Sequence, residues 1–233
     1  RAREAFALVQ DLDRILARIV LGSAGPRDLD ALARSLRALP AVAEALGESV
    51  APLLRLQTKD LDPLTDLCDE IARTIVDEPP ALAREGGFVR DGVDPELDTL
   101  RAESRGGRET IAGIEERERA RTGIGSLKVR FNRVFGYYLE VSKPNLPLVP
   151  ADYVRKQTIA GGERFVTGEL KEYEQRVLRA DELMLEHETR VFEALRARVA
   201  GEARRVQQTS RAAAVLDVLS SLAEAATRFD YVK

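Results

Sequence analysis

The sequence predicts a mainly α-helical protein: a long antiparallel helical bundle with a small antiparallel β-sheet inserted at the tip of an arm. Three observations predict it. Apolar residues recur at three-four spacing through most of the 233 residues, and a composition that is 32% charged and 5% aromatic suits long, solvated helices. Residues 126–167 break that rhythm and alternate with a period of two, the mark of half-buried strands. Long helical patterns flank this stretch on both sides, so the chain runs out along one helix, forms the sheet and returns along another.

Residues 4–21 set Phe6, Val9, Leu12, Ile15, Leu16 and Ile19 on one helical face, and Gly22 ends the pattern. A second helix starts at Gly25-Pro26, because proline suits the first helical position and Asp28 suits the positive end of the helix dipole. Leu29, Leu32, Leu36 and Leu39 form its buried face, and Pro40 is expected to end it. A shorter helix around residues 41–48 and another over 61–77, with Leu61, Leu64, Leu67, Ile71 and Ile75 inward, complete a helical hub closed by Pro79-Pro80. Gly86, Gly87, Asp91 and Gly92 then mark tight turns around Phe88-Val89, a connection with room for a brief strand pair.

Asp94 reads as an N-cap with Pro95 behind it, launching a helix over 95–122 whose sparse stripe is Leu97, Leu100, Ile111 and Ile114. Gly106-Gly107 should weaken it locally, and at 1.5 Å per residue it is roughly 40 Å long. In the sheet, Leu127, Val129 and Phe131 alternate with Lys128, Arg130 and Asn132, burying Val129 and Phe131 beneath a basic face. A turn at Phe135-Gly136 leads to a second strand from Tyr137 to Lys143. After a proline-stiffened crossing come Val154 to Ile159 and Arg164 to Thr167. Thr167 caps a helix running from Glu169. There Leu170, Val177, Met184 and Val191 recur every seven residues, with Tyr173, Ala180, His187 and Ala194 three residues after each, a two-residue heptad seam. Beyond Gly201, residues 212–229 carry Ala213, Leu216, Leu219, Leu222, Ala226 and Phe229 on a helix returning to the hub.

Composition excludes several function classes. No run of about 18 apolar residues offers a membrane span and no leader is evident, so a cytoplasmic protein is expected. With Arg1 first and Met184 the one methionine, the sequence reads as a piece of a longer protein. The one cysteine, Cys68, lies among Leu64, Leu67 and Ile71 at helical spacing and is expected in the core, not at a catalytic centre. No glycine-rich loop ending in Lys-Ser or Lys-Thr is present to cradle nucleotide phosphates, and Gly123-x-Gly125 reads as a helix end. His187 and Cys68 are too few and too distant to build a catalytic triad or a zinc site, so no catalytic residue and no metal ligand is expected. The acidic pairs, Glu115-Glu116, Glu172 with Glu174 and Glu186 with Glu188, have arginines three or four residues away and read as solvated ion-pairing faces.

The sheet stands apart. Residues 126–167 carry a net +4 in a chain of net −3, which leaves −7 for the remainder. Lysine and arginine on rigid strands neutralise phosphates without reading sequence. The candidate DNA contacts are Lys128 and Arg130 on one strand face, Asn132 and Arg133 near the hairpin turn, and Lys143 and Asn145 at the crossing. Arg155, Lys156, Gln157 and Thr158 join them, two cations beside two neutral hydrogen-bonding side chains. Charge alone also fits a small sheet that protects its edges from pairing with other strands. Two further readings stay open: a helical hairpin showing its sheet to a protein partner, whose binding would be insensitive to salt, and an RNA-gripping enzyme arm, which would prefer RNA to duplex DNA.

Three ordered blocks, FNRVFGYYLEVSKPNL, VPADYVRKQT and ERFVTGELKEYE, resemble the clamp of the bacterial MutS family of DNA mismatch-repair proteins. The resemblance extends upstream to GGFVRDGVDPELDTLR at 86–101 and RILARIVLGSAGPRDL at 14–29. Two positions depart from the family pattern: proline is usual where Gly168 stands, and an Asn-Ala-like pair is frequent near Gly161-Gly162. The resemblance implies a clamp at 126–167 inserted between core and lever helices at 1–125 and 168–233. It also implies that the clamp grips double-stranded DNA through its backbone and that the full-length protein is a homodimer. An ATPase domain using ATP and Mg, to which the levers would transmit clamp position, is implied to lie outside this chain, so the chain itself is expected to be neither an enzyme nor a cofactor binder.

Overall fold

A computed structural model describes residues 2–47, 51–132 and 134–231. The chain forms two compact units, one of residues up to Val93 together with those from Glu188 onward, the other of Asp94–His187. The fold is mainly helical with one small antiparallel sheet, as the periodicities predict.

In the first unit, the single helix expected over 4–21 is two, α1 (Ala2–Phe6) and α2 (Leu12–Val20). Asp11 separates them, because its carboxylate accepts the Arg14 backbone N–H at 2.9 Å and caps a new helix in place of continuing the old one. Pro40 does not end the second predicted helix: α3 runs Pro26–Leu46 through it. The stripe Leu29, Leu32, Leu36, Leu39 continues into fully buried Val42, and that packing outweighs the hydrogen bond Pro40 removes. The helix expected around 41–48 is therefore the end of α3, with residue 48 outside the described residues. An unanticipated helix, α4 (Pro52–Lys59), follows. The helix expected over 61–77 is shortened to α5 (Thr65–Thr74), since Pro63 disfavours helical backbone at Asp62 and Leu64 sits in the left-handed region.

The Phe88-Val89 run pairs back on the residues after α5, through an Ile75–Val89 bridge and a 2.9 Å bond from Val76 N–H to the Phe88 carbonyl. Phe88 itself meets Phe192 edge-to-face at 5.7 Å. Cys68 is fully buried, and burial pushes its thiol up to about 11, so it packs as a small apolar group. The last helix, α8 (Ala203–Arg228), begins nine residues earlier than expected and buries Val206, Ala212, Ala213 and Leu216. Leu222 and Phe229, expected inward, are 61% exposed.

The second unit contains α6 (Pro95–Thr122), the sheet strands β1 (Lys128–Asn132), β2 (Gly136–Ser142), β3 (Val154–Ile159) and β4 (Gly162–Val166), and the first part of α7 (Gly168–Gly201). Contacts of Ser104 and Arg108 with Asp181 at 2.8 and 2.7 Å, and of Arg117 with Glu169 at 2.7 Å, show α6 and α7 antiparallel. Gly106-Gly107 leaves α6 unbroken, and a Cβ at Gly107 would stand 2.6 Å from Val177 Cγ2, so the missing side chain is what lets the helices close here. Thr167 Oγ1 accepts the Leu170 N–H at 3.1 Å as the predicted cap of α7.

The strands lie in the order β1-β2-β4-β3, all antiparallel. Leu139, Val141 and Phe165 of the sheet, with Leu127 and Tyr153 beside them, share one core with Ile111 and Ile114 of α6 and Leu170 and Val177 of α7. Phe131, expected in that core, is 52% exposed. It pairs with Tyr137 beside the hairpin end, two positions past the Val129–Leu139 pair, and touches the Tyr137 ring at 4.9 Å. The α7 seam holds at Leu170, Val177, Ala180 and His187, with Met184 half-buried. Within the first unit it has shifted by one position, to Glu188, Phe192, Leu195 and Val199, leaving Val191 half-buried and Ala194 exposed. A straight helix of 3.6 residues per turn drifts off a seven-residue repeat in this way.

Asp94 caps α6, accepting the Glu96 and Leu97 N–H groups at 2.9 and 3.1 Å, with His187 Nδ1 3.3 Å away. The Leu97 N–H and His187 hold its carboxyl below the ordinary range. A depressed carboxylate stabilises fully above its unfolded value, near 3.9, and that contribution is lost as pH falls through the lower folded value. Asp94→Ala is therefore expected to cost about 1 kcal/mol at neutral pH in urea melts, with the gap from the parent closing as pH falls through the lowered folded-state value of the cap. A gap that persists undiminished in acid would show that ionisation of the cap is not its source.

Candidate nucleic-acid interface

Cross-strand partners share a sheet face, so the register sorts the side chains. Lys128 pairs with Glu140, Arg130 with Tyr138, Glu140 with Arg164, and Arg164 with Gln157. One row, Lys128–Glu140–Arg164–Gln157, thus crosses all four strands on the face opposite the shared core, with Arg130 and Asn132 further along β1. The predicted alternation of β1 is real in that respect: its basic residues face outward.

The other candidates are dispersed. A bulge between Arg155 and Gln157 sets Arg155 opposite Phe165 and Thr158 opposite Glu163, so those two belong by register to the face of Phe165 and Val141. Lys156 is the extra residue of the bulge and is exposed. Lys143 and Asn145 lie in a short 3-10 stretch, Lys143–Leu148. There Asn145 Nδ2 donates to Ser126 Oγ at 2.8 Å and Ser142 Oγ at 3.2 Å, which ties it into the crossing. Asn132 accepts the Val134 N–H at 2.8 Å and so shapes the hairpin turn. Arg133 lies outside the described residues.

Electrostatically, Arg130 stands 3.8 Å and Arg164 3.5 Å from the Glu140 carboxylate, and Arg155 3.3 Å from Glu163. Lys128, Lys143 and Lys156 are exposed and take no part in those pairs. The sheet is held rigidly beneath them. Glu115 of α6 accepts the Val129 N–H at 2.9 Å, Arg119 Nε donates to the Leu127 carbonyl at 2.7 Å, and Glu174 of α7 accepts the Tyr137 N–H at 2.8 Å. Gly136 is required at that last contact: its φ is +74°, and a Cβ would fall on the Glu174 carboxylate. Just before β3, the Tyr153 hydroxyl donates to buried Glu118 at 2.7 Å, and Glu118 pairs at 2.8 Å with Arg121, which also reaches Asp152 at 3.0 Å. The Arg121 guanidinium holds Asp152 below the usual carboxylate range, while burial and the Glu118 charge push the Tyr153 phenol up.

Three residues of the outward face were not singled out by sequence reasoning: Tyr138, Glu140 and Arg164. Arg164 lies 4.5 Å over the Tyr138 ring and donates to Gln157 Oε1 at 2.8 Å. Their alternation is visible in the chain, but adjacency across strands depends on the register. The acidic pairs partly behave as solvated faces, with Arg119–Glu115 and Arg176–Glu172 each at 2.6 Å. Three depart from that reading: Glu115 and Glu174 anchor the sheet through the Val129 and Tyr137 N–H groups, and Glu188 is buried and accepts the Gly87 N–H at 2.6 Å. Among the described residues no helix is long and apolar enough to cross a membrane, and no cluster of three or more His, Cys, Asp or Glu is placed to hold a metal ion.

Residues 92–183 match the MutS family domain IV. Over 225 residues, 97% of this chain, the sequence is 51% identical to a DNA mismatch repair protein MutS from Symbiobacterium thermophilum. It is 54% identical over 229 residues, 98% of the chain, to a protein of the same name from Anaeromyxobacter dehalogenans, and 49% identical over 229 residues to one from Solibacter usitatus. The chain spans about a quarter of the length of these curated relatives, 26% in each case.

Proposed function

Given that the chain belongs to the MutS family of DNA mismatch repair proteins, we propose that it is the DNA-gripping core and clamp portion of such a protein, holding duplex DNA through backbone phosphates without reading its sequence. The observation that carries this reading is the outward basic row of a rigidly mounted sheet, within a segment of net +4. Residues 126–167 are assigned to the clamp, and residues 1–125 and 168–233 to core and lever helices. Exposed Lys128, Arg130 and Lys156 are the principal phosphate contacts, joined at the β3 edge by Arg155 and Thr158, which belong by register to the other face, with Arg133, Lys143 and the neutral Asn132, Asn145 and Gln157 adding hydrogen bonds.

In the full-length protein, a homodimer in the cytoplasm, two such clamps would embrace one duplex. ATP and Mg would be bound by a domain that this chain does not include, and the lever helices would transmit its state to the clamp. The chain alone is then a DNA-binding module and not an enzyme.

The test is a titration of matched and mismatched duplexes against salt. With about three to five phosphates neutralised, log affinity should fall against log salt with a slope of about −3 to −4.5, equally for both duplexes. Affinity independent of salt would sink the reading. It would favour instead a module that shows its sheet to a protein partner, for which the exposed Phe131, Val134 and Phe135 of the hairpin tip offer an apolar surface.

A further inference from the structure

We propose that the outward face of the sheet contains a preformed phosphate subsite centred on Arg164, in which Glu140 is a built-in competitor for the incoming phosphate. This deepens the DNA-binding reading and rests on it. Glu140 occupies the middle of the face, directly paired with Lys128 on one side and Arg164 on the other, with Arg130 diagonal to it. Three cations therefore surround one carboxylate, and the patch keeps an excess of positive charge.

The distances show that the carboxylate satisfies neither arginine. Charge-assisted N–H to O bonds close to about 2.7–2.9 Å, whereas Glu140 stands 3.8 Å from Arg130 and 3.5 Å from Arg164. Arg164 Nε is buried and, among the described residues, has no hydrogen-bond partner, a donor left open in the middle of the sheet. An arginine placed only to neutralise Glu140 would close on it.

The rest of Arg164 is already ordered. Its guanidinium lies on the Tyr138 ring at 4.5 Å, and its Nη1 is anchored on Gln157 Oε1 at 2.8 Å. With the side chain fixed, a phosphate encounters a planar fork whose ordering entropy does not have to be lost on binding. A phosphate oxygen drawn to this fork and to Arg130 takes the place of Glu140, whose carboxylate swings toward Lys128 or solvent. Glu140 thereby weakens binding by an amount set by the same charges that the phosphate uses.

This assignment inverts the usual expectation for one substitution. Fluorescence anisotropy of a duplex of about 30 base pairs, titrated with the 233-residue chain between about 50 and 200 mM salt, provides the readout. Glu140→Gln keeps the shape and removes the competitor; affinity should rise about threefold to tenfold and the salt slope should steepen by up to about 0.9. Arg164→Gln should lower affinity about fivefold to tenfold and make the slope shallower by about 0.9, with the circular dichroism spectrum retained. Arg164→Lys, which keeps the charge without the fork, should fall between that variant and the parent.

Parent-like affinity and slope in Glu140→Gln overturn the proposal, whatever the Arg164 variants do. Should Arg164→Gln unfold, Glu140→Gln and Arg164→Lys decide alone. If the parent binds duplex with its expected slope while both substitutions leave it unchanged, the DNA reading stands and this inference fails. If the parent shows no salt-dependent binding, both fail together.

Discussion

Phe165→Ala should lower the stability of the second unit by about 3–5 kcal/mol, a large share of the roughly 5–15 kcal/mol available to a domain. Phe165 is 6% exposed, packs against the Tyr153 ring at 5.8 Å, and belongs to the core that joins sheet to helices. Truncation removes its transfer energy and leaves a cavity that two helices and four strands cannot jointly collapse. The check is a urea melt, in which the midpoint should fall while the slope with denaturant stays the same. Phe131→Ala is the control within the same sheet, expected within about 0.5 kcal/mol because that ring is half in water. Equal losses at the two positions would mean that the core is not where the packing puts it.

The second large effect is electrostatic. Replacing Lys128, Arg130, Arg155 and Lys156 together by alanine should flatten the salt dependence of duplex binding by about 0.9 for each phosphate left without its cation, up to about 3.6 in all. All four side chains are exposed. Among the described residues the ion pairs given up are those of Arg130 and Arg155, long ones at 3.8 and 3.3 Å, so the helices should melt close to the parent temperature. A slope that the substitution leaves unchanged would place the DNA site away from these four cations. A collapse of the melting transition would show that these cations hold the fold.

Much of the architecture is legible along the chain because it is decided locally. Asp94-Pro95 starts α6 and Gly123 follows its end, Thr167 caps α7, and the four strands fall within two residues of where alternation and turn residues put them. Each depends on interactions within a turn or a hairpin, which composition and spacing encode. The local pattern misleads where packing overrides it. Pro40 stays inside α3 because Val42 is buried beyond it, and the α7 seam slips at Glu188 as the helix repeat drifts off the heptad.

The candidate site divides the same way. Reading along the chain is enough to place strands in residues 126–167, to find positive charge concentrated there, and to set Lys128 and Arg130 on one face, since side-chain alternation is a property of a single strand. The folded sheet was needed to show that Glu140 stands between Lys128 and Arg164, that the bulge at Lys156 turns Arg155 away from Gln157, and that Phe131 is left in water. Those facts depend on strand order and register, which place Glu140 beside Arg164, 24 positions on, and are set by how the sheet buries one face against α6 and α7.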